Sequence, residues 1–594
     1  MSNHALSPSL NAAIRPRSEV RDGMQIDWDA EIPMPDGIVL RADIFRPLGE
    51  GHHPVILSMG PYAKGLAFQE GFKSMWDRMV AAHPDVPAGS SNKYQNWEVV
   101  DPEKWVPDGY ACVRVDSRGA GRSPGRMDVW SPQETQDFYD CIEWSGCQPW
   151  SNGKVGLNGI SYYAMNQWQV ASLQPPHLAA ICVWEGAADF YRDAYRHGGI
   201  VSMMPLRWYG RQVLSVQHGL GERGRKSVVT GEWIAGPPTL SDDELKANRG
   251  ELEIDVFEHP LDDAYYKDRS PQLDKVVVPL LSAGNWGGQG LHTRGNFEGY
   301  VQAASKQKWL EVHGLAHWPH FYTDYGRLLQ KRFFDFFLKG ERNGWDRQPP
   351  VQLQVRHPGE TFVQRDESEW PLARTAWTRY YLDPAGMALA PSASDASCAL
   401  DFDTTGDGLS FSLPLQNRPV EITGPIACKL FVSSQTNDAD IFLVLRVYDP
   451  QGKEVTFHGA LDPQTPVAQG WLRASHRKLD AERSLPYRPY HSHDEIEPLV
   501  PGQIYELDIE IWPTCIVVPP GHRVCLDVRG KDYHCDGPPV IIPGAPYPFT
   551  GVGPFSHTHP LDRPAEVFEA RTTLHFAPGM QPYLLLPIIP NVPA

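Results

Sequence analysis

The stretch Lys154-Val-Gly-Leu-Asn-Gly-Ile-Ser161-Tyr-Tyr-Ala-Met-Asn-Gln-Trp168 constrains this chain more than any other. Lys154 to Leu157 reads as a short buried strand and Tyr162 onward as a helix. Gly159-Ile160-Ser161 must therefore turn the chain sharply between them. A strand, a tight turn bearing serine and then a helix make a nucleophile elbow, which lifts the hydroxyl to the helix N-terminus. Unpaired backbone N–H groups and the helix dipole favour developing negative charge there. G-x-S alone is a common turn, and the second glycine of G-x-S-x-G is here Tyr163. Its meaning depends on the strands around it.

Those strands are legible as apolar runs. The segments "DWDAEIPM" and "IVLRADIFRP", split by Pro35-Asp-Gly37, read as an antiparallel hairpin. His53 to Ser58, Tyr110 to Val115, Leu178 to Val183, Val276 to Leu281 and Lys308 to Val312 are further strands. Helical segments fall between several of them, among them Glu134 to Trp144, with Phe138, Cys141, Ile142 and Trp144 as an apolar stripe. Unbroken apolar strands alternating with helices indicate a mostly parallel sheet buried on both faces. With the elbow, this is the pattern of an α/β-hydrolase.

Residues 64 to 104 read as a long, irregular surface excursion. Residues 191–266 interrupt the alternation with amphipathic pieces and are expected to form an inserted helical cap, flanked by the catalytic segments 24–190 and 267–345. Tyr325 to Gly340 reads as the helix closing that half. Residues 346–594 turn to alternating strand patterns punctuated by Gly and Pro, expected to be an all-β jelly-roll sandwich. Residues 1–23 read as a disordered tail.

Composition excludes several classes. A length of 594 residues implies more than one domain, and a net charge of −18 without a basic block argues against nucleic acid. The nine Cys are dispersed with no C-x-x-C pair, which reads as reduced thiols in a cytoplasmic protein. The N-terminus has no apolar signal core and no run is long enough to span a bilayer, so no membrane association is expected. A chain of this size and acidity is compatible with a homodimer, which nothing in the sequence specifies.

A serine nucleophile needs a base, a group that orients the base, and donors for the oxyanion. The base should follow the last core strand, "KWLEV", after which come His313, His317 and His320. The spacing invites a metal reading, but Gly314 and Pro319 make this a loop without a carboxylate motif, and no metal is expected. His317 is the expected base, with His313 and His320 structural.

Gly159-x-Ser161-Tyr162, "DSRGAGRSPG", "EWSGCQPWSNGKVG", "FFDFFLKG" and the β-rich C-terminal third together resemble the cocaine esterase and X-prolyl dipeptidyl-peptidase family of serine hydrolases. The resemblance runs from about Met24 to the end of the chain. It implies an α/β-hydrolase domain with a cap and a jelly roll, cleaving small-molecule esters or amides through an acyl-enzyme without cofactor. Ser161 would be the nucleophile and His317 the base. Tyr62, closing the second core strand, matches the tyrosine whose hydroxyl helps form the oxyanion hole, and the backbone N–H of Tyr162 would be the other donor.

One departure matters. The family usually carries its acid in a Gly-Trp-x-Asp-like turn after the strand at Val276 to Leu281, but here Gly287 stands where aspartate is expected, within Gly284-Asn-Trp-Gly-Gly-Gln289. Glu185, ending the strand after the nucleophile helix, is the best replacement, ahead of Asp189 and Asp324. A plain salt bridge from Glu185 to Arg192 or to a residue of the cap is the competing reading. The expected function is ester hydrolysis. Amide or X-prolyl peptide hydrolysis is the alternative on the same site, and a non-catalytic binding protein on a hydrolase scaffold is the alternative of another class.

Overall fold

The apolar runs form one sheet, whose strands are β1 (Arg17–Arg21), β2 (Met24–Pro33), β3 (Val39–Arg46), β4 (His53–Gly60), β5 (Ala111–Asp116), β6 (Ser151–Ile160), β7 (Leu178–Trp184), β8 (Leu280–Asn285), β9 (Lys308–His313) and β10 (Val351–His357). This computed structural model describes residues 14–395, 397–542 and 547–590. Hydrogen-bonded neighbours give the order β1-β2-β3-β5-β4-β6-β7-β8-β9-β10. The β1–β2, β2–β3 and β3–β5 pairs are antiparallel, and from β5 to β10 every pair is parallel. Every residue of β5 and β8 is buried, as parallel strands covered by helices on both faces must be.

Helix α1 (Pro132–Gly146) starts at Ser131, whose hydroxyl accepts from Glu134 N–H, with Pro132 in the first turn. Helix α2 (Tyr162–Ser172) follows the elbow, and Tyr162 through Ala171 are all buried. Helix α3 (Thr293–Gln302) packs beside β8, and α4 (Asp324–Phe334) leads to β10, which adds a parallel strand beyond the expected boundary at 345. No described helix is long and apolar enough to cross a membrane.

Several expected boundaries shift. Residues 1–13 of the expected tail lie outside the described residues, but Arg17–Arg21 within it pair with β2. The strand expected at Val276 begins instead at Leu280, after the turn Leu273–Lys275 and Pro279, whose missing N–H cannot join a ladder. The helix expected through Gly340 is α-helical only to Phe334 and continues as a wider turn to Lys339. The region 191–266 is less helical than expected. It holds short helices at Met203–Trp208, Asp242–Ala247, Leu252–Glu258 and Ala264–Lys267, joined by loops and a two-residue hairpin at Arg196–His197 and Ile200–Val201.

The excursion at 64–104 is not wholly irregular, for it contains helices at Phe68–Gly71, Lys73–Ala82 and Pro102–Trp105. It is also pinned to the sheet. Arg114 on β5 donates to the carbonyls of Tyr94 and Val100, each at 2.6 Å, so a buried guanidinium fixes the segment between them.

The C-terminal part is β-rich. Val420–Ser434 pairs antiparallel with Tyr505–Val518, and Asp440–Tyr448 pairs with Ala468–Arg473 and Arg523–Arg529. Alternate residues Ile441, Leu443, Leu445 and Val447 face its core, as a period of two requires. It meets the catalytic half through apolar packing, as of Ile200 on Phe442, Trp471 and Trp512, and through polar contacts: Arg192 donates to the carbonyls of His491 and Ser492, and His197 contacts His557 at 2.7 Å.

Candidate active site

At the elbow, Ser161 has φ 57° and ψ −112°, a left-handed backbone that an L-residue adopts only when its surroundings hold it there. Its N–H is shared between the carbonyls of Trp184 and Glu185, both at 3.1 Å, which ties the elbow to the end of β7. The missing second glycine is compensated across the sheet. The ring of Tyr163 fills the space over Gly60 on β4, where a Cβ would come within 2.6 Å of Cε1. The bulk and the glycine have changed places.

Glu185 follows β7 and is wholly buried. Its Oε2 lies 2.6 Å from His317 Nδ1, and its Oε1 lies 3.1 Å from His313 Nε2 and 3.2 Å from Asn285 Nδ2. Arg192 pairs with Asp189 and Asp262 instead, and Asp324 pairs with Arg327 on α4. Burial alone would push the Glu185 carboxyl up, but the charge of His317 and hydrogen bonds from both histidines outweigh it and hold it at about 2. His313 Nδ1 contacts Glu311 at 2.8 Å, and the other oxygen of Glu311 accepts from Tyr325 at 3.0 Å. Burial is overcome again at His313, which the Glu311 charge and the Glu185 hydrogen bond raise to about 9. His320 bonds none of these carboxylates, and burial lowers it to about 3.

The far nitrogen of His317 reaches a carboxylate that sequence reading missed. His317 Nε2 is 3.2 Å from Glu98 Oε1, and the Glu98 carboxyl is buried beside Trp97. Glu98 also has a positive φ, 62°, and its carbonyl accepts from Ile160 N–H at the elbow, 3.0 Å away. Burial lifts its carboxyl to about 7 despite the His317 hydrogen bond. Burial opposes charge on His317, yet the Glu185 charge and the bonds to both carboxylates raise it to about 10. His317 thus lies between two carboxylates, Glu185 at Nδ1 and Glu98 at Nε2.

Ser161 Oγ itself meets a different imidazole. Its side-chain hydrogen bond is to His292 Nε2, at 3.0 Å, and no hydrogen bond joins it to His317 among the described residues. His292 precedes α3 and is fully buried, with its ring stacked on His317 at 5.2 Å between centroids and 12° between planes. His292 was not singled out from the sequence. Its one signal is that it sits five residues after Gly287, in the turn expected to carry an acid. That turn has no room for the acid. A Cβ on Gly287 would lie 2.6 Å from the His458 carbonyl and 2.7 Å from Gly459 Cα, both in a loop of the β-rich part. The same loop straps the site from both sides, since Ala460 N–H donates to Gly287 O and Ala460 O accepts from His317 N–H.

Tyr62 lies beyond β4, and its hydroxyl accepts from Trp208 Nε1 at 2.9 Å, leaving its own proton free to donate. Burial pushes that phenol well above its ordinary range, so it stays protonated. Tyr162 opens α2, where a first-turn N–H has no partner inside the helix. Tyr62, Trp130, Met165, Tyr195, Met204 and Trp208 line a cavity of about 20 Å³ that also touches Ser161 and His292. The arrangement offers a strained serine, imidazoles, a buried acid and two free donors, the parts that acyl transfer requires.

The family described as X-Pro dipeptidyl-peptidase (S15 family) matches residues 36–322, and that of the X-Pro dipeptidyl-peptidase C-terminal non-catalytic domain matches residues 343–585. A solved CocE/NonD family hydrolase from Staphylococcus aureus is 32% identical, covers 95% of this chain and 94% of its own, and superposes with a TM-score of 0.81. The chain belongs to the cocaine esterase and X-prolyl dipeptidyl-peptidase family of serine hydrolases. Cocaine esterase of Rhodococcus sp. is 26% identical over 579 residues, covering 84% of this chain and 90% of that protein. Xaa-Pro dipeptidyl-peptidase of Streptococcus gordonii is 22% identical over 600 residues, covering 88% and 75%. This family member is therefore a serine hydrolase acting on esters or peptides, with a catalytic hydrolase-fold part and a β-rich C-terminal domain.

Proposed function

We propose that the protein cleaves a carboxylic ester through an acyl-enzyme formed on Ser161, with His317 as base and Glu185 as the acid that orients it. The 2.6 Å contact between Glu185 Oε2 and His317 Nδ1 carries this reading, because it assigns a tautomer. With Nδ1–H donated to Glu185, loss of the second proton leaves a lone pair on Nε2. His317 then exchanges Glu98 for the serine hydroxyl. Ser161 Oγ attacks the ester carbonyl as His317 takes its proton, and the tetrahedral oxyanion sits between the Tyr62 hydroxyl and the Tyr162 N–H. Collapse expels the alcohol, which receives the proton from His317, and water repeats the sequence on the acyl group.

Ester is preferred to amide because the walls of the cavity beside Ser161 are aromatic and aliphatic and carry no carboxylate to anchor a substrate ammonium. The aromatic residues Trp130, Tyr195 and Trp208 give the space beside Ser161 an apolar character. Residues 191–266 act in this reading as a cap, since Trp208 and Met204 come from it. The C-terminal domain is read as a jelly-roll sandwich on its antiparallel pairings.

The test is hydrolysis of a panel of p-nitrophenyl esters and X-Pro p-nitroanilides by the wild type and Ser161→Ala. Ester turnover that disappears in the variant supports the reading. Faster turnover of X-Pro anilides than of any ester would move the assignment to the peptidase, and turnover unaffected by the substitution would overturn it.

A further inference from the structure

Two histidines stand at Ser161, and the hydrogen bonds of His292 decide what it can do. The Ala187 N–H donates to His292 Nδ1 at 3.2 Å, so that nitrogen is an acceptor and carries no proton. A neutral imidazole then bears its hydrogen on Nε2, the atom 3.0 Å from Ser161 Oγ. Adding a second proton would set an N–H against the Ala187 N–H. Burial, and then the charge of His317, oppose it as well, holding His292 well below the ordinary histidine range. With no lone pair on the side facing the serine, His292 cannot take the serine proton.

We infer that His292 is a fixed hydrogen-bond donor to the serine oxygen, acting when that oxygen is the leaving group. The inference rests on the Ser161–His317 reading above and adds a step to it. In the free enzyme the bond from His292 Nε2–H occupies one lone pair of Oγ and leaves the hydroxyl proton pointing away from His292. In deacylation, water adds to the acyl carbonyl while His317 takes a water proton. The tetrahedral intermediate then breaks its bond to Oγ, and Oγ receives that proton from His317. Negative charge grows on Oγ as the bond breaks, so the His292 hydrogen bond strengthens toward the transition state and lowers this barrier most. His292 keeps its own proton throughout.

Ala187 lies two residues after Glu185, so one short loop supplies both the acid for His317 and the donor that sets the tautomer of His292. The turn after β8, where Gly287 leaves no room for an acid, delivers the imidazole instead.

The test is pre-steady-state hydrolysis of a p-nitrophenyl ester by the wild type, His292→Phe and His292→Gln, each checked for folding by thermal melting. Phe fills the space without a donor, whereas the Gln amide restores one. Deacylation by His292→Phe should slow on the order of 10²-fold, with a burst of p-nitrophenol as acyl-enzyme accumulates, and Gln should recover most of the loss. The pH dependence of kcat/KM should be unchanged in both variants, because His317 remains the titrating base. Wild-type deacylation in folded His292→Phe would overturn the donor role and leave Ser161 and His317 in place. Failure of both His292 variants to acylate, with His317→Gln still acylating, would make His292 the base and overturn both readings. If His292→Phe fails to fold, His292→Gln with a normal rate and a shifted pH profile would equally overturn the inference.

Discussion

Glu185 Oε2 and His317 Nδ1 are 2.6 Å apart, although 132 residues separate them in the chain. The contact exists because β7, β8 and β9 are parallel neighbours, so their C-terminal ends lie on one rim of the sheet. An acid at the end of β7 therefore reaches the same imidazole that an acid after β8 would.

Glu185→Gln should reduce kcat by about 10³–10⁴-fold, since an amide can stabilise the wrong His317 tautomer and carries no charge to balance the imidazolium. Steady-state kinetics with an ester substrate check this. A loss below about tenfold would mean another group orients the base.

Glu98→Gln should extend activity to lower pH. The Glu98 carboxylate favours the charged form of His317, which is held up to about 10 in the intact cluster. Removing that negative charge lets His317 shed its proton earlier, so the rising acid limb of kcat/KM should move down by about one unit or more. Because the two groups share protons, the limb reports the pair rather than either residue. A pH–rate profile that moves up, or not at all, would contradict this effect of Glu98 on His317.

Tyr62→Phe should lower kcat by about 10²–10³-fold with little change in KM, the signature of a donor used only in the transition state. Trp208→Phe removes the indole that orients the hydroxyl but not the hydroxyl itself, and should cost less. Equal losses in the two variants would make Tyr62 a packing residue.

Gly287→Asp should not recreate the family acid. Its Cβ would press on the His458 carbonyl and Gly459 Cα, so the substitution should destabilise the fold by about 1–3 kcal/mol, read as a lower melting temperature. In a Glu185→Gln background it should restore no activity. Rescue would show that the loop at His458 yields.

Sequence reading reached the parts whose signals are local or periodic. Ser161 stands between a strand and a helix, and His317 follows the last strand of the expected core, so both were visible from order along the chain. Glu185 is legible because the ends of parallel neighbouring strands share a rim. Glu98 was not legible, because it lies in an excursion with no periodicity and meets His317 across 219 residues of sequence. What places it is Arg114 holding the neighbouring carbonyls and Ile160 holding its own. His292 stayed hidden for another reason. The role inferred for it depends on which nitrogen is protonated, and a backbone N–H from Ala187, itself unmarked in any motif, decides that.

The strap at Ala460 has a consequence for how such chains can be recombined. One residue of the C-terminal domain holds the backbone of His317 on one side and Gly287 on the other. A chimera joining this hydrolase half to the β-rich half of a relative would exchange the support beneath its own base, even with every catalytic side chain retained. Substitutions around His458 to Asp462 should therefore reach the serine centre through the backbone of His317 and Gly287.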